Sequence, residues 1–160
     1  MNNQMSAMLN IDGSDDPFYR YKMPEVQVKV EGRGNGIKTV ILNMDDIASS
    51  LKCESSYLTK FFGMELGTVS MWDNKRKISI VNGKHDKLVL HNIISDFIKR
   101  FILCPQCNLP ETILKVKKSC LYAKCSACNF YGPSDNQHKL SSHILKHLQL
   151  VKNKEQKEEN

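Results

Sequence analysis

Two cysteine pairs, Cys104-Pro105-Gln106-Cys107 and Cys125-Ser126-Ala127-Cys128, stand seventeen residues apart. Each C-x2-C turn presents two sulfurs from one tight loop, so the pattern predicts a tetrahedral, four-thiolate structural zinc site of the ribbon kind. Iron, a redox pair or idle thiols are the competing fates of these cysteines. A segment of about thirty residues is too short to bury a self-sufficient core, so the metal replaces one. Binding in zinc-finger peptides supplies apparent energies of ~10–16 kcal/mol, enough to decide whether such a segment folds. With four protein ligands no position is left for water, which points to a structural ion rather than a catalytic one.

The choice of metal over disulfides rests on compartment. No apolar run approaches the ~18 residues of a membrane helix. The first twenty residues carry Asp12, Asp15 and Asp16 where a signal peptide would be basic. The chain is therefore expected to be cytoplasmic, where thiols stay reduced. Cys125, Cys128, His143 and His147 mimic a DNA-reading two-Cys two-His finger. Fourteen residues separate Cys128 from His143, where about twelve are usual. That choice also strands Cys104 and Cys107, so no DNA partner is expected. His143 and His147 then belong to a solvated or RNA-facing helix side, with Leu140, Ile144, Leu148 and Val151 packed inward. Cys53 and Cys120 lack ligand spacing and are expected to be small apolar fillers.

The formal charge of +6 is unevenly placed. The three aspartates stand without a cation in residues 1–17 and the tail 152–160 balances its own charges, so residues 18–151 hold nine positive charges in excess. A basic body suggests an anionic partner such as nucleic acid, although solvated lysines read the same way.

Periodicity sets the rest of the organisation. Residues 1–17, with Asp12-Gly13-Ser14-Asp15-Asp16-Pro17, read as a flexible arm, with order starting near Phe18. Val26, Val28 and Val30 alternate with polar residues as in a half-buried strand, and the glycine loop 32–36 leads into a second strand, Ile37 to Leu42. Asn43 is placed to cap a short helix carrying Asp45 and Asp46 in its first turn, and Ser55 or Ser56 to cap another that ends at Gly67. Residues 69–72 and 78–81 read as a hairpin. Leu90, Ile93, Ile94, Phe97, Ile98 and Phe101 trace one helical stripe that calls for a sheet to cover. The expected fold class is α+β: a small mixed domain over 18–100, a four-cysteine zinc ribbon over 101–135, a C-terminal helix over 136–151 and a charged tail over 152–160.

Catalytic constellations are missing from the pattern. Gly32-x-Gly34-x-Gly36-Ile37-Lys38 fails as a phosphate loop because Ile37 intervenes before the lysine and a strand-like run follows where a helix N-terminus is required. No nucleophile triad has credible spacing and the acidic residues are scattered, so a stand-alone enzyme is not expected. Phe18-Tyr19-Arg20-Tyr21-Lys22-Met23-Pro24 clusters aromatics with cations, which suits a surface staple or a stacking platform for nucleic acid.

Taken together, FYRYKMP at 18–24, VEGRGNGIKTVILNM at 30–44, LTKFFGMELG at 58–67, IVNGKHD at 80–86 and FIKRFILCPQC at 97–107 closely resemble the N-terminal domain of the eukaryotic translation initiation factor 5 family, over about residues 16–150. The ribbon is shared with the β subunit of translation initiation factor 2, which lacks the FYRYKMP arm. The resemblance implies a GTPase-activating role toward translation initiation factor 2 in the pre-initiation complex, during start-codon selection. The partners it implies are the γ subunit with its GTP, the β subunit, other initiation factors, initiator tRNA and the small ribosomal subunit. In the family, the arginine of FYRYKMP is the proposed finger acting in trans and falls on Arg20. Lysines linked to activation fall on Lys38 and Lys60, and the glycine linked to start-codon stringency falls on Gly36. Gly36 reads equally as a loop glycine needing positive φ, Lys38 and Lys60 as ordinary surface lysines, and Arg20 as a cation packed on Tyr19 or Tyr21. The alternative function is a ribosome- or tRNA-binding module without GTPase activation. The family continues through an acidic linker into a helical-repeat domain, and 152–160 reads as the start of that linker or as a natural end.

Overall fold

The structure is a computed structural model describing residues 7–159. It divides into two compact units, Met1–Lys99 and Arg100–Asn160.

Among the described residues, the first unit begins with a hairpin where an arm is expected. Strand β1 (Met8–Asn10) pairs antiparallel with β2 (Lys22–Pro24), Leu9 opposite Met23. Ile11 and Met23 are buried, and the backbone amide of Ile11 donates to the Tyr21 carbonyl at 3.0 Å. Ordered structure therefore begins well before Phe18, which is itself 92% exposed. The aspartates of the connection close turns instead of solvating a free chain. Asp12 accepts from the Ser14 amide and Asp16 from the Phe18 amide, each at 2.9 Å. The Asn10 side chain donates to the carbonyls of Ser14 and Asp16, each at 2.8 Å. Residues 1–6 of the expected arm lie outside the described residues.

Four antiparallel strands follow, β3 (Val28–Glu31), β4 (Lys38–Ile41), β5 (Ser70–Asp73) and β6 (Ile78–Asn82), ordered β3-β4-β6-β5. Thr39, Ile41, Ser79 and Val81 share one face by register and are all fully buried. Helices α1 (Met44–Leu51) and α2 (Ser55–Leu66) pack against this sheet, bringing Met44, Ile47, Leu58, Phe61 and Phe62 into the core. Two hydroxyls inside this interface satisfy each other, Thr59 Oγ1 and Ser79 Oγ at 2.6 Å, while Thr59 also donates to the Ser55 carbonyl. The mid-helix Gly63 lets α2 approach β5, since a Cβ there would sit 2.4 Å from Ser70 Oγ. Helix α3 (Lys87–Phe97) lays its predicted stripe on α2, with Phe97 edge-on to Phe61 at 5.4 Å, because α1 and α2 already occupy the sheet.

Two expected caps take other roles. Asn43 precedes α1 but makes no cap bond; its buried amide accepts from the Gln27 backbone at 2.9 Å and donates to the Glu25 carbonyl at 2.7 Å, stitching the approach to β3. Ser55 is the first residue of α2 rather than its cap, and its hydroxyl donates to Asp45 at 3.0 Å.

The chain passes into the second unit within a π-helical turn, Ile98–Ile102. Strands β7 (Thr112–Lys117), β8 (Cys120–Cys125) and β9 (Tyr131–Pro133) form an antiparallel sheet in sequence order. Helix α4 (Lys139–Glu158) packs on β7 and β8 through fully buried Leu140 and Ile144. It runs through most of the expected tail, where Lys154 and Glu158 take the four-residue spacing at which opposite charges meet. Val151, expected to face inward, is exposed.

Asp135 anchors the start of α4. Its carboxylate accepts from the backbone of Gln137 at 3.0 Å and from Arg100 Nη1 at 2.9 Å. Burial pushes against ionisation, but the Gln137 amide, the Arg100 guanidinium and the His138 amide outweigh it and hold the carboxyl below its ordinary range. Cys120, expected as a filler, is exposed at the β7–β8 turn. Cys53 is half-buried, and burial, then Glu54, pushes its thiol up to about 12.

Candidate functional site

The four cysteines singled out by spacing come together. Cys104 Sγ lies 3.6 Å from Cys128 Sγ, and Cys107 Sγ lies 3.6 Å from Cys125 Sγ. All four sulfurs lie within 4.8 Å of one another. A disulfide would bring sulfurs to ~2.05 Å. By contrast, a tetrahedron with metal–sulfur bonds of ~2.3 Å has an edge of about 3.8 Å. The donor set therefore fits a tetrahedral thiolate centre. Among the described residues it is the one such cluster, and neither His143 nor His147 belongs to it.

The two turns that present the sulfurs are copies of each other. In each, the residue after the second cysteine donates to the first cysteine's carbonyl: Asn108 to Cys104 at 2.9 Å, and Asn129 to Cys125 at 3.1 Å. The first cysteine's amide then donates to the next residue along, Cys104 to the Leu109 carbonyl at 3.0 Å and Cys125 to Phe130 at 2.9 Å. Asn108 and Asn129 adopt left-handed φ of 61° and 62°, which asparagine tolerates better than most side chains. The sequence carries this signal as a repeat, C-P-Q-C-N-L and C-S-A-C-N-F, of which ligand spacing uses only the cysteines.

Backbone amides aimed at the sulfurs prepare them for a cation. At Cys104 burial opposes ionisation, yet the amides of Cys107 and Gln106 and the neighbouring thiols pull the group down to about 7. Cys107 accepts from the Leu109 amide, which favours the thiolate, but burial and the three adjacent sulfurs push it up to about 12. Four like charges in this space need a positive centre among them.

In the first unit, Arg20 lies on the connection between β1 and β2, flanked by Tyr19 and Tyr21. The two rings meet edge to face at 5.7 Å, and the Tyr19 hydroxyl is buried with no hydrogen-bond partner among the described residues. Burial, then Asp12 and Tyr21, pushes that phenol up to about 12. The Tyr19 hydroxyl is thus turned in, while Tyr21 is half-buried and Arg20, the residue between them, is exposed. Its guanidinium stands 5.9 Å from the centre of the Tyr21 ring, at the outer edge of cation–π attraction. The packing of this cation on a neighbouring tyrosine is thus present, and it leaves the guanidinium facing solvent.

Lys38 is exposed at the start of β4, opposite Glu31 on β3 and Asn82 on β6. Lys60 is exposed on α2, away from the buried Leu58, Phe61 and Phe62. Among the described residues no carboxylate pairs with Arg20, Lys38 or Lys60, and no hydrogen bond links the three to one another.

Gly36 ends a 3-10 turn, Gly34–Gly36, and does not have the positive φ that its reading as a loop glycine requires; a Cβ there would meet nothing within 4 Å. The conformational demand sits at Gly34, with φ +54°, and above all at Gly32, with φ +83° and a position where a Cβ would lie 2.3 Å from the Gly36 carbonyl oxygen.

Comparison with known proteins follows the same residues. The family model for the domain found in initiation factors 2B and 5 matches residues 12–131. Eukaryotic translation initiation factor 5 of Caenorhabditis elegans is 52% identical over 131 residues, covering 82% of this chain and 30% of that protein. The Mus musculus protein of the same name is 49% identical over 144 residues, covering 89% of this chain and 33% of its own length. Probable eukaryotic translation initiation factor 5-1 of Arabidopsis thaliana is 49% identical over 143 residues, covering 88% and 33%. The chain thus spans about a third of the length of the curated relatives it matches. With the domain model matched over most of its residues and half of the aligned positions shared with animal and plant relatives, the chain belongs to this initiation-factor domain family, as a counterpart of the N-terminal domain of eukaryotic translation initiation factor 5.

Proposed function

We propose that this chain is a cytoplasmic translation initiation factor that activates GTP hydrolysis on translation initiation factor 2, with Arg20 as a finger supplied in trans. The observation that carries the reading is the presentation of Arg20: exposed, without a carboxylate partner among the described residues, and held on a folded hairpin between Tyr19, whose hydroxyl is buried, and the half-buried Tyr21. Charge building on the transferring γ-phosphoryl group is stabilised by a guanidinium delivered from another protein, an effect of ~10³–10⁵ in rate. That corresponds to roughly 4–7 kcal/mol of barrier. Lys38 and Lys60 support the contact as unpaired cations, and Gly36 keeps the loop beside Lys38 free of side-chain bulk.

Zinc is the ion that best suits four thiolates in this arrangement. Cys104, Cys107, Cys125 and Cys128 would hold it, and its role is to fold the ribbon rather than to act on substrate. The β subunit of translation initiation factor 2, other initiation factors, initiator tRNA and the small ribosomal subunit are the further partners the reading includes. Single-turnover GTP hydrolysis on an initiator ternary complex, measured with and without this chain, is the test. Acceleration supports activation in trans. An unchanged rate leaves the alternative of a ribosome- or tRNA-binding module, whose affinity for ribosomal subunits falls steeply with salt.

A further inference from the structure

The outward face of the ribbon sheet concentrates chemistry that neither the metal centre nor Arg20 uses. Register places Ile113, Lys115 and Lys117 of β7 on the same face as Cys120, Tyr122 and Lys124 of β8. Tyr131 of β9, opposite Lys124, extends that face. Tyr122 and Tyr131 are diagonal neighbours across β8 and β9, with rings stacked at 5.4 Å and 25° between planes. Tyr131 is 47% exposed and Ile113 54%. From Thr112 to Ser134 the chain carries four lysines and no acidic residue. Even with the net −2 of a zinc-tetrathiolate centre, the local balance stays positive.

Two stacked rings on a basic sheet, Tyr131 exposed and Tyr122 half-buried beneath it, offer what a single-stranded nucleic acid needs: flat surface for its bases and cations for its phosphates. Lys117 supplies the coupling. Its ammonium lies 5.8 Å from the Tyr122 ring centre and 5.4 Å from that of Tyr131. That places a cation beside the rings, on a four-carbon stem long enough to reach the phosphate of a base stacked there. We propose that this face, built on Tyr122, Tyr131, Lys115, Lys117 and Lys124, binds single-stranded RNA by stacking unpaired bases on the tyrosine pair. The surface is independent of Arg20, so GTP turnover on the ternary complex is a separate readout and the two readings fail separately.

The test is fluorescence anisotropy of the full, metal-loaded chain with a labelled twelve-nucleotide oligouridylate and, alongside, an RNA duplex of equal length. One stacked base is worth roughly 5- to 150-fold in affinity. Replacing both rings, Tyr122→Ala with Tyr131→Ala, is therefore expected to weaken single-strand binding at least ~10-fold, while duplex binding barely changes. Tyr122→Phe with Tyr131→Phe keeps the rings and is expected to stay within about 3-fold of wild type. Lys115→Gln with Lys117→Gln is expected to lower the slope of log affinity against log salt by about 1.4, at ~0.7 per single-strand contact. The lysine pair also decides the matter if the alanine variant fails to fold. Wild-type single-strand affinity without the rings, an equal loss on duplex, an unchanged salt slope, or equal competition by oligoglutamate would each overturn the proposal.

Discussion

The two units solve the same problem with different materials. In Met1–Lys99, Phe61, Phe62, Phe97, Ile41, Met44, Ile47, Leu58, Leu90 and Ile94 are all essentially inaccessible, and the sheet and helices close around them. Among the described residues of Arg100–Asn160 the buried large side chains are Phe101, Ile102, Leu121, Leu140 and Ile144, few for a sheet and a long helix to close on without help. There the four sulfurs bring the two C-x2-C turns together. The lesson is one of failure modes. The first unit is expected to lose stability by increments as its core is trimmed, and the second to lose it at once when its ion is removed.

Metal removal should therefore give the largest effect. Chelation, or Cys125→Ser, should abolish a contribution on the scale of the ~10–16 kcal/mol seen in zinc-finger peptides. Hydrogen exchange should show β7, β8 and β9 losing protection while β4, β6 and α2 keep theirs. Loss of protection throughout both units would mean that the first unit does not stand on its own core. Trimming the other core, Phe61→Ala should cost ~3–5 kcal/mol in the first unit, read by denaturant titration, and leave zinc stoichiometry unchanged.

Smaller changes sharpen the contrast between what the glycine loop needs for folding and what it offers a partner. Gly32→Ala should cost ~1–3 kcal/mol through its positive φ and its collision with the Gly36 carbonyl. Gly36→Ala should stay within about 0.5 kcal/mol of wild type. Thermal melts of the pair decide it, and equal destabilisation would put the conformational demand back on Gly36. In the ribbon, Asn108→Val and Asn129→Val should each cost ~1–2 kcal/mol by forcing a β-branched residue into a left-handed turn. The Gly substitutions at the same positions should cost little, and competition with a zinc indicator reports the difference.

What could be read from the sequence was whatever repeats at a fixed spacing. The cysteine pairs, the hairpin 69–81 and the stripe from Leu90 to Phe101 all announce themselves by period. What could not be read depends on a single side chain choosing between water and a backbone partner. Asp12 and Asp16 look solvated in the sequence but close turns in the β1–β2 connection. Asn43 sits where a cap belongs, yet spends its amide on Glu25 and Gln27. Gly32, Gly34 and Gly36 look equivalent until the chain folds back and only Gly32 faces a carbonyl. For the candidate site, the clustering of the four cysteines followed from spacing alone. The exposure of Arg20 beside the buried Tyr19 hydroxyl is something no spacing rule states.

The proposed activation needs a guanidinium, and not merely a positive charge, from the β1–β2 connection. Arg20→Lys keeps the charge but removes the planar fork. Single-turnover GTP hydrolysis on the initiator ternary complex, at matched occupancy by the wild-type and Arg20→Lys chains, measures the difference directly. Loss of most of the ~10³–10⁵-fold stimulation with binding intact is the predicted result. An unchanged rate at equal occupancy would contradict it.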